Sequence, residues 1–185
     1  SLMKNTTSRR LFLRNSAFAI TGIAVISPTI TTAFNSDASP YLGYNPYAET
    51  KTDLRSGILS LNPVTVRGTI YQSDGVTPVT NATVEVWHLS PNSAKYRHRA
   101  KIIANEQGNY EFKTDFPNRE KGKNARIYFK ISSTEKTSFT ELLLNSSGAH
   151  ITCEHWERNQ KLGTKLFPER TVSMDQTHIQ FNISI

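Results

Sequence analysis

Between Val64 and Thr114 the chain alternates apolar and polar residues with a period of two, interrupted only by turn residues, and this leaves few folds open. In VTVRGTIY, residues 64–71, Val64, Val66 and Ile70 face one way and Thr65, Arg67 and Thr69 the other, the pattern of a half-buried strand. ATVEVWHL, residues 82–89, sets Val84 and Val86 against Thr83, Glu85 and Trp87. Tyr110 and Phe112 continue the pattern after a turn ending at Gly108. Asp74-Gly75 and Gln107-Gly108 are reversal chemistry, because glycine accepts the positive φ of a tight turn. Further alternation follows in ARIYFKI (125–131), SFTELLL (138–144) and THIQFNISI (177–185). Residues 145–176 read as irregular and polar. Roughly seven short strands and no convincing helix predict an all-β fold, an antiparallel two-sheet sandwich.

The 185 residues suit one domain with a tail. Ser1 and Leu2 precede Met3 and read as a cloning scar. Arg9-Arg10-Leu11-Phe12-Leu13-Arg14 followed by an apolar run to Ile26 resembles a twin-arginine export signal over residues 1–33. The run is too short for about 30 Å of hydrocarbon. Export to the periplasm or the outside of the cell is the expectation, with no membrane association after cleavage. Residues 34–62, rich in turns, read as an arm leading into the sandwich at 63–185, with Tyr41, Tyr44 and Tyr47 as surface pegs. The formal charge of +7 is mostly leader: four of the 22 basic residues precede residue 34, leaving 18 against 15 acids. A surface near +3 is not a nucleic-acid footprint. One cysteine, Cys153, excludes an intrachain disulfide and is expected to be buried and inert.

The succession V-x-G-x-I, D-G, A-x-V-E-V-W, K-Y-R-H and G-N-Y-E-F-K-T across Val64–Ile131 resembles the intradiol ring-cleavage dioxygenases, in particular the protocatechuate 3,4-dioxygenase branch. The resemblance implies a sandwich of intradiol dioxygenase or prealbumin-like type. It also implies a non-haem Fe(III) held by two tyrosines and two histidines, since phenolate is a hard anionic donor and imidazole completes the shell. Tyr96 matches the first tyrosine. Glu120, after the Thr114-x-x-Pro117 turn, stands nearest the second. The histidine pair is replaced by Arg126 and Tyr128, which share one strand face. A guanidinium stays charged and offers only donors, so it repels a ferric ion. Arg126 is therefore expected to take over the charge position of the metal, paired with Glu120 or a bound anion. Arg119 and Lys123 are the candidates for orienting a substrate.

His150 and His155 offer an alternative metal pair with Tyr96, against a reading as scattered histidines. His98 reads as a hydrogen-bonding neighbour of Tyr96, Trp87 as core, His88 as packed or solvated, and His178 has no visible partner. The preferred functional reading is an exported dioxygenase-like protein with an incomplete iron site and no cofactor, acting as a binding or structural module. A small aromatic ligand and a homo-oligomer are left open, and nucleic acid is not expected. The alternatives are an active intradiol dioxygenase that binds Fe(III) in an altered shell, and a transthyretin-like or carboxypeptidase-regulatory-like adhesion domain.

Overall fold

The alternation that opens at Val64 becomes strand β1 (Pro63–Tyr71), whose Val64, Val66 and Ile70 are fully buried. The computed structural model describes residues 39–57, 60 and 62–185, all within the second of two units, Ser1–Ser36 and Asp37–Ile185. The expected export signal lies outside the described residues. Among the described residues no helix is long and apolar enough to cross a membrane.

After β1 come β2 (Thr83–His88), β3 (His98–Ile103), β4 (Asn109–Asp115), β5 (Ala125–Ser132), β6 (Thr137–Leu144) and β7 (Ala149–Ile151). A short helix α1 (Cys153–Asn159) and a 3₁₀ segment (Gln160–Leu166) follow, then β8 (Glu169–Ser173), β9 (Gln176–Gln180) and β10 (Ile183–Ser184). In one sheet β1 pairs antiparallel with β4 on one side and parallel with β9 and then β10 on the other, with β8 outside β9. The second sheet runs β3-β2-β5-β6-β7, entirely antiparallel. Between them lies an apolar core that includes Val66, Val84, Val86, Phe112, Ile127, Phe129, Leu142 and Phe181. The two-sheet all-β expectation holds.

Several details differ from the sequence reading, the parallel pairing of β1 with β9 and β10 in an otherwise antiparallel sandwich among them. The last strand is broken at Phe181-Asn182, because Phe181 donates its amide to Arg67 O while its own carbonyl accepts from the Tyr110 hydroxyl at 2.7 Å. The stretch read as irregular contains α1, opened by Thr152, whose side chain accepts from the His155 amide. Seven residues give too few turns for a visible period. Cys153 is exposed at the first position of that helix, not buried.

Gly68 is fixed by the Phe181 break. A Cβ at this position would stand 1.7 Å from the Phe181 carbonyl oxygen, which is backbone and cannot swing aside. Gly68→Ala is expected to cost about 3 kcal/mol, the upper range of overpacking, as a lower urea midpoint. An unchanged midpoint would show that β9–β10 can shift freely against β1.

The arm closes one side of the sandwich. Its residues 49–51 exchange backbone hydrogen bonds with Lys101 on the edge of β3, and 52–54 do the same with Lys113 on the edge of β4. The edge of each sheet on this side is thereby paired at one residue, and Leu54 enters the core.

Candidate functional site

The outer face of the second sheet, away from the core, gathers the residues singled out by sequence. Register sets Arg99, Trp87, Tyr128 and Glu141 in one row across β3, β2, β5 and β6. Lys101, Glu85, Lys130 and Phe139 form the next row. Such a face is ordinarily solvated, yet Trp87 is 1% exposed, Tyr128 4% and Lys130 5%. Trp87 was expected in the core; it is buried, but on the opposite face from Val84 and Val86.

The arm provides the cover. Tyr41 stacks on Tyr128 with ring centroids 4.7 Å apart, and Tyr44 lies 5.1 Å from Trp87. Trp87 itself stacks on Tyr128 at 5.6 Å and donates its indole N–H to Leu42 O at 2.9 Å. Tyr44 meets the polar row: its hydroxyl lies 3.2 Å from both Glu85 carboxylate oxygens and accepts from Lys130 Nζ at 2.8 Å. Lys130 and Lys101 flank the same carboxylate at 3.5 and 3.8 Å. Gly43, at φ +80°, lets the arm pass over the Tyr96 ring, which a Cβ would meet at 2.2 Å. Tyr41 and Tyr44 are thus pegs, as expected, while Tyr47 is 90% exposed.

At the edge of this aromatic layer Tyr96, Glu120 and Tyr128 converge. Tyr96 donates its hydroxyl to Glu120 Oε1 at 2.7 Å, and Tyr128 donates to the same oxygen at 3.2 Å. Lys123 pairs with Oε2. The Lys123 contact and the Tyr96 hydrogen bond hold the Glu120 carboxyl below its ordinary range. Burial, reinforced by the Glu120 charge, pushes the Tyr96 phenol up to about 12. Burial also raises Tyr128, with the charge of Glu120 in the same direction. Both phenols therefore stay protonated and act as donors to a carboxylate.

Arg126 does not pair with Glu120. Its guanidinium donates to Glu141 Oε2 on β6 at 2.7 Å, diagonally across the strand pair, and to Asn124 O at 3.3 Å. The reason is register: Glu141 lies directly opposite Tyr128, two residues along the face from Arg126. Of the two substrate-orienting candidates, Lys123 is engaged by Glu120 and Arg119 is exposed on the loop that follows β4.

The alternative histidine pair is not brought together. His150 is exposed on β7, 3.3 Å from Asn145 Oδ1. His155 is 1% exposed, bonded through Nδ1 to Thr140 Oγ1 at 2.7 Å and packed on Phe181. The difference arises because α1 turns His155 inward. His98 is a hydrogen-bonding residue as expected, but inside the sandwich: Nδ1 meets Ser90 Oγ and Nε2 meets Asp115 Oδ2, both at 2.8 Å. His88 stacks on His98 at 4.8 Å and is fully buried, with Nε2 2.6 Å from Thr114 Oγ1. Partly buried His178 lies on β9, opposite Thr171.

A ferric ion in a two-tyrosine, two-histidine shell does not fit these residues. The four positions hold a phenol, a carboxylate, a guanidinium and a second phenol, and the imidazoles of His88 and His98 lie on the inner face. Among the described residues no group of three His, Cys, Asp or Glu side chains is arranged to hold a metal.

No family model and no curated protein matches the chain. Solved structures do. The dioxygenase domain of a dioxygenase carbohydrate-binding protein fusion from Streptomyces sp. SirexAA-E superposes with a TM-score of 0.59 at 14% identity, covering 77% of this chain and 91% of that one. An intradiol ring-cleavage dioxygenase from Tetranychus urticae gives 0.58 at 14%, covering 77% and 89%. Chlorocatechol 1,2-dioxygenase from Pseudomonas putida gives 0.58 at 18%, covering 80% and 69%. The chain therefore has the fold of the intradiol ring-cleavage dioxygenases. At these identities the likeness concerns fold and not activity.

Proposed function

We propose that this chain, built on the intradiol dioxygenase fold, is an exported non-catalytic module whose former metal position is a self-satisfied hydrogen-bonded network. One observation carries the reading: Glu120 accepts from both phenols while Arg126 is neutralised by Glu141. The charge that iron would supply is replaced by fixed side chains with partners of their own. Export rests on the Arg9-Arg10 signal. The aromatic ligand suggested by the resemblance finds its stacking surface already covered, since Tyr41 lies on Tyr128.

The test is iron analysis, visible absorption and ring opening with catechol and protocatechuate after incubation with ferric or ferrous salts. The expected result is colourless protein, no stoichiometric iron, no ring opening and no rise in melting temperature with catechols. A second reading, a dioxygenase with an all-oxygen shell, draws on the convergence of the Tyr96, Glu120 and Tyr128 oxygens. Stoichiometric iron with ring cleavage would establish it and overturn the first.

A further inference from the structure

The excess positive charge of the folded chain is gathered at one end. The β2–β3 loop, 89–97, carries Lys95 and Arg97; the β4–β5 loop, 116–124, carries Arg119, Lys121 and Lys123 with Glu120 as the only acid. That is a net +4 on two loops, against +3 for everything beyond residue 33. The loops are held side by side. Asn118 donates its amide to Leu89 O at 3.1 Å and its side chain to Ser93 O at 2.9 Å, and Tyr96 reaches Glu120. Lys123 is spent on Glu120. Lys95, Arg97, Arg119 and Lys121 are all exposed and make no ion pair with a described carboxylate. The neighbouring Asp115 is 6% exposed and turned inward onto His98 and the Ser56 amide, so it does not cancel them.

We infer that these two loops form a docking surface for an extended acidic polysaccharide, a polymer bearing carboxylates or sulfates along its length. This goes beyond the proposed non-catalytic role and does not depend on the metal question. Four exposed cations on two adjoining loops match a run of anionic groups better than a single small anion, which needs converging donors in a pocket. Neither loop carries an exposed large apolar side chain that would enter a bilayer. Tyr96, the one aromatic residue there apart from Phe116, is partly buried with its hydroxyl engaged, so no free ring is offered for stacking on bases.

The test measures binding of polygalacturonate and heparin, in rising salt, to the protein and to two quadruple variants. One carries Lys95→Gln, Arg97→Gln, Arg119→Gln and Lys121→Gln. The other carries Arg67→Gln, Lys113→Gln, Lys136→Gln and Lys161→Gln, which removes equal exposed charge elsewhere. Binding is expected to weaken with salt and to fall on the order of tenfold in the first variant and less than about twofold in the second. Melting temperatures of both variants verify folding. Absence of binding, equal loss in both variants, or tighter binding to duplex DNA or to phosphatidylglycerol vesicles than to either polysaccharide would overturn the inference.

Discussion

Trp87→Ala is expected to cost about 3–5 kcal/mol of stability, the range for emptying a large aromatic site, and to release the arm from the sheet. Trp87 faces away from the inter-sheet core, yet it is 1% exposed because Tyr41, Leu42, Tyr44 and Tyr128 surround it. Removing the indole takes away the surface on which Tyr44 packs and the donor that fixes Leu42 O. The same change on an ordinary solvated sheet face would cost little. Two measurements check it: the urea midpoint, and limited proteolysis in the 39–48 segment. Trp87→Phe should retain most of the packing and lose mainly one hydrogen bond, about 1 kcal/mol. If Trp87→Ala unfolds at the wild-type midpoint with its arm equally protected, the arm does not cover this face. The consequence bears on function as well as stability. Tyr41 and Tyr44 occupy the rings of Tyr128 and Trp87, so a ligand that stacks on those two rings would have to displace the arm.

Period-two alternation made β1, β2, β4, β5 and β6 legible, because in these strands the core-facing residues are apolar. β3 is not legible as a strand, since its inward positions are His98, Ala100 and Ile102, and a histidine breaks the apolar series although it is satisfied by Ser90 and Asp115. Nor is β8, because it is an edge strand with four of its five residues exposed, leaving no face to mark. At the candidate site, alternation puts Arg126 and Tyr128 on one face, and the resemblance sets Glu120 beside Tyr96, where the two are hydrogen-bonded. The partner of Arg126 did not show. Glu141 lies 15 residues away, and only the β5–β6 register reveals it beneath the guanidinium. Alternation in SFTELLL already set Phe139 and Glu141 on one face, which was the available signal. The arm carries no such signal. Three tyrosines at three-residue spacing match neither strand nor helix period, and what they cover is set by tertiary contact alone.

Acid should unfold this protein well before its carboxylates titrate in bulk. Burial pushes His88 down to about 3 and His155 down to about 4, so both are neutral in the folded state at ordinary pH. In the unfolded chain each accepts a proton near pH 6.5. Between the folded values and 6.5 the unfolded state therefore binds more protons, and stability rises with pH through that window and levels off above it. His88 faces His98 from β3 and Asp115 from β4, and His155 faces Arg158 on its own helix. His155 Nε2 is buried and has no hydrogen-bond partner among the described residues, so a cation there gains nothing from them to offset its desolvation. Two protons at about 1.4 kcal/mol per pH unit each amount to roughly 5 kcal/mol lost between pH 6.5 and 4.5, comparable with the whole stability of a small domain. Asp115 adds to this at lower pH. Burial alone would raise its carboxyl, but hydrogen bonds from Ser60, Ser56 and His98 outweigh it and hold the group well below the usual range, so its contribution is lost below about pH 4. Urea titrations at pH 7.5, 6, 5 and 4.5 should show a plateau and then a slope near two protons. His155→Gln should remove about one of them while leaving the His88 share intact. A flat profile from pH 7 to 5 would mean that neither imidazole is neutral and buried in the folded state, and that the interior of the sandwich is wetter than its packing implies.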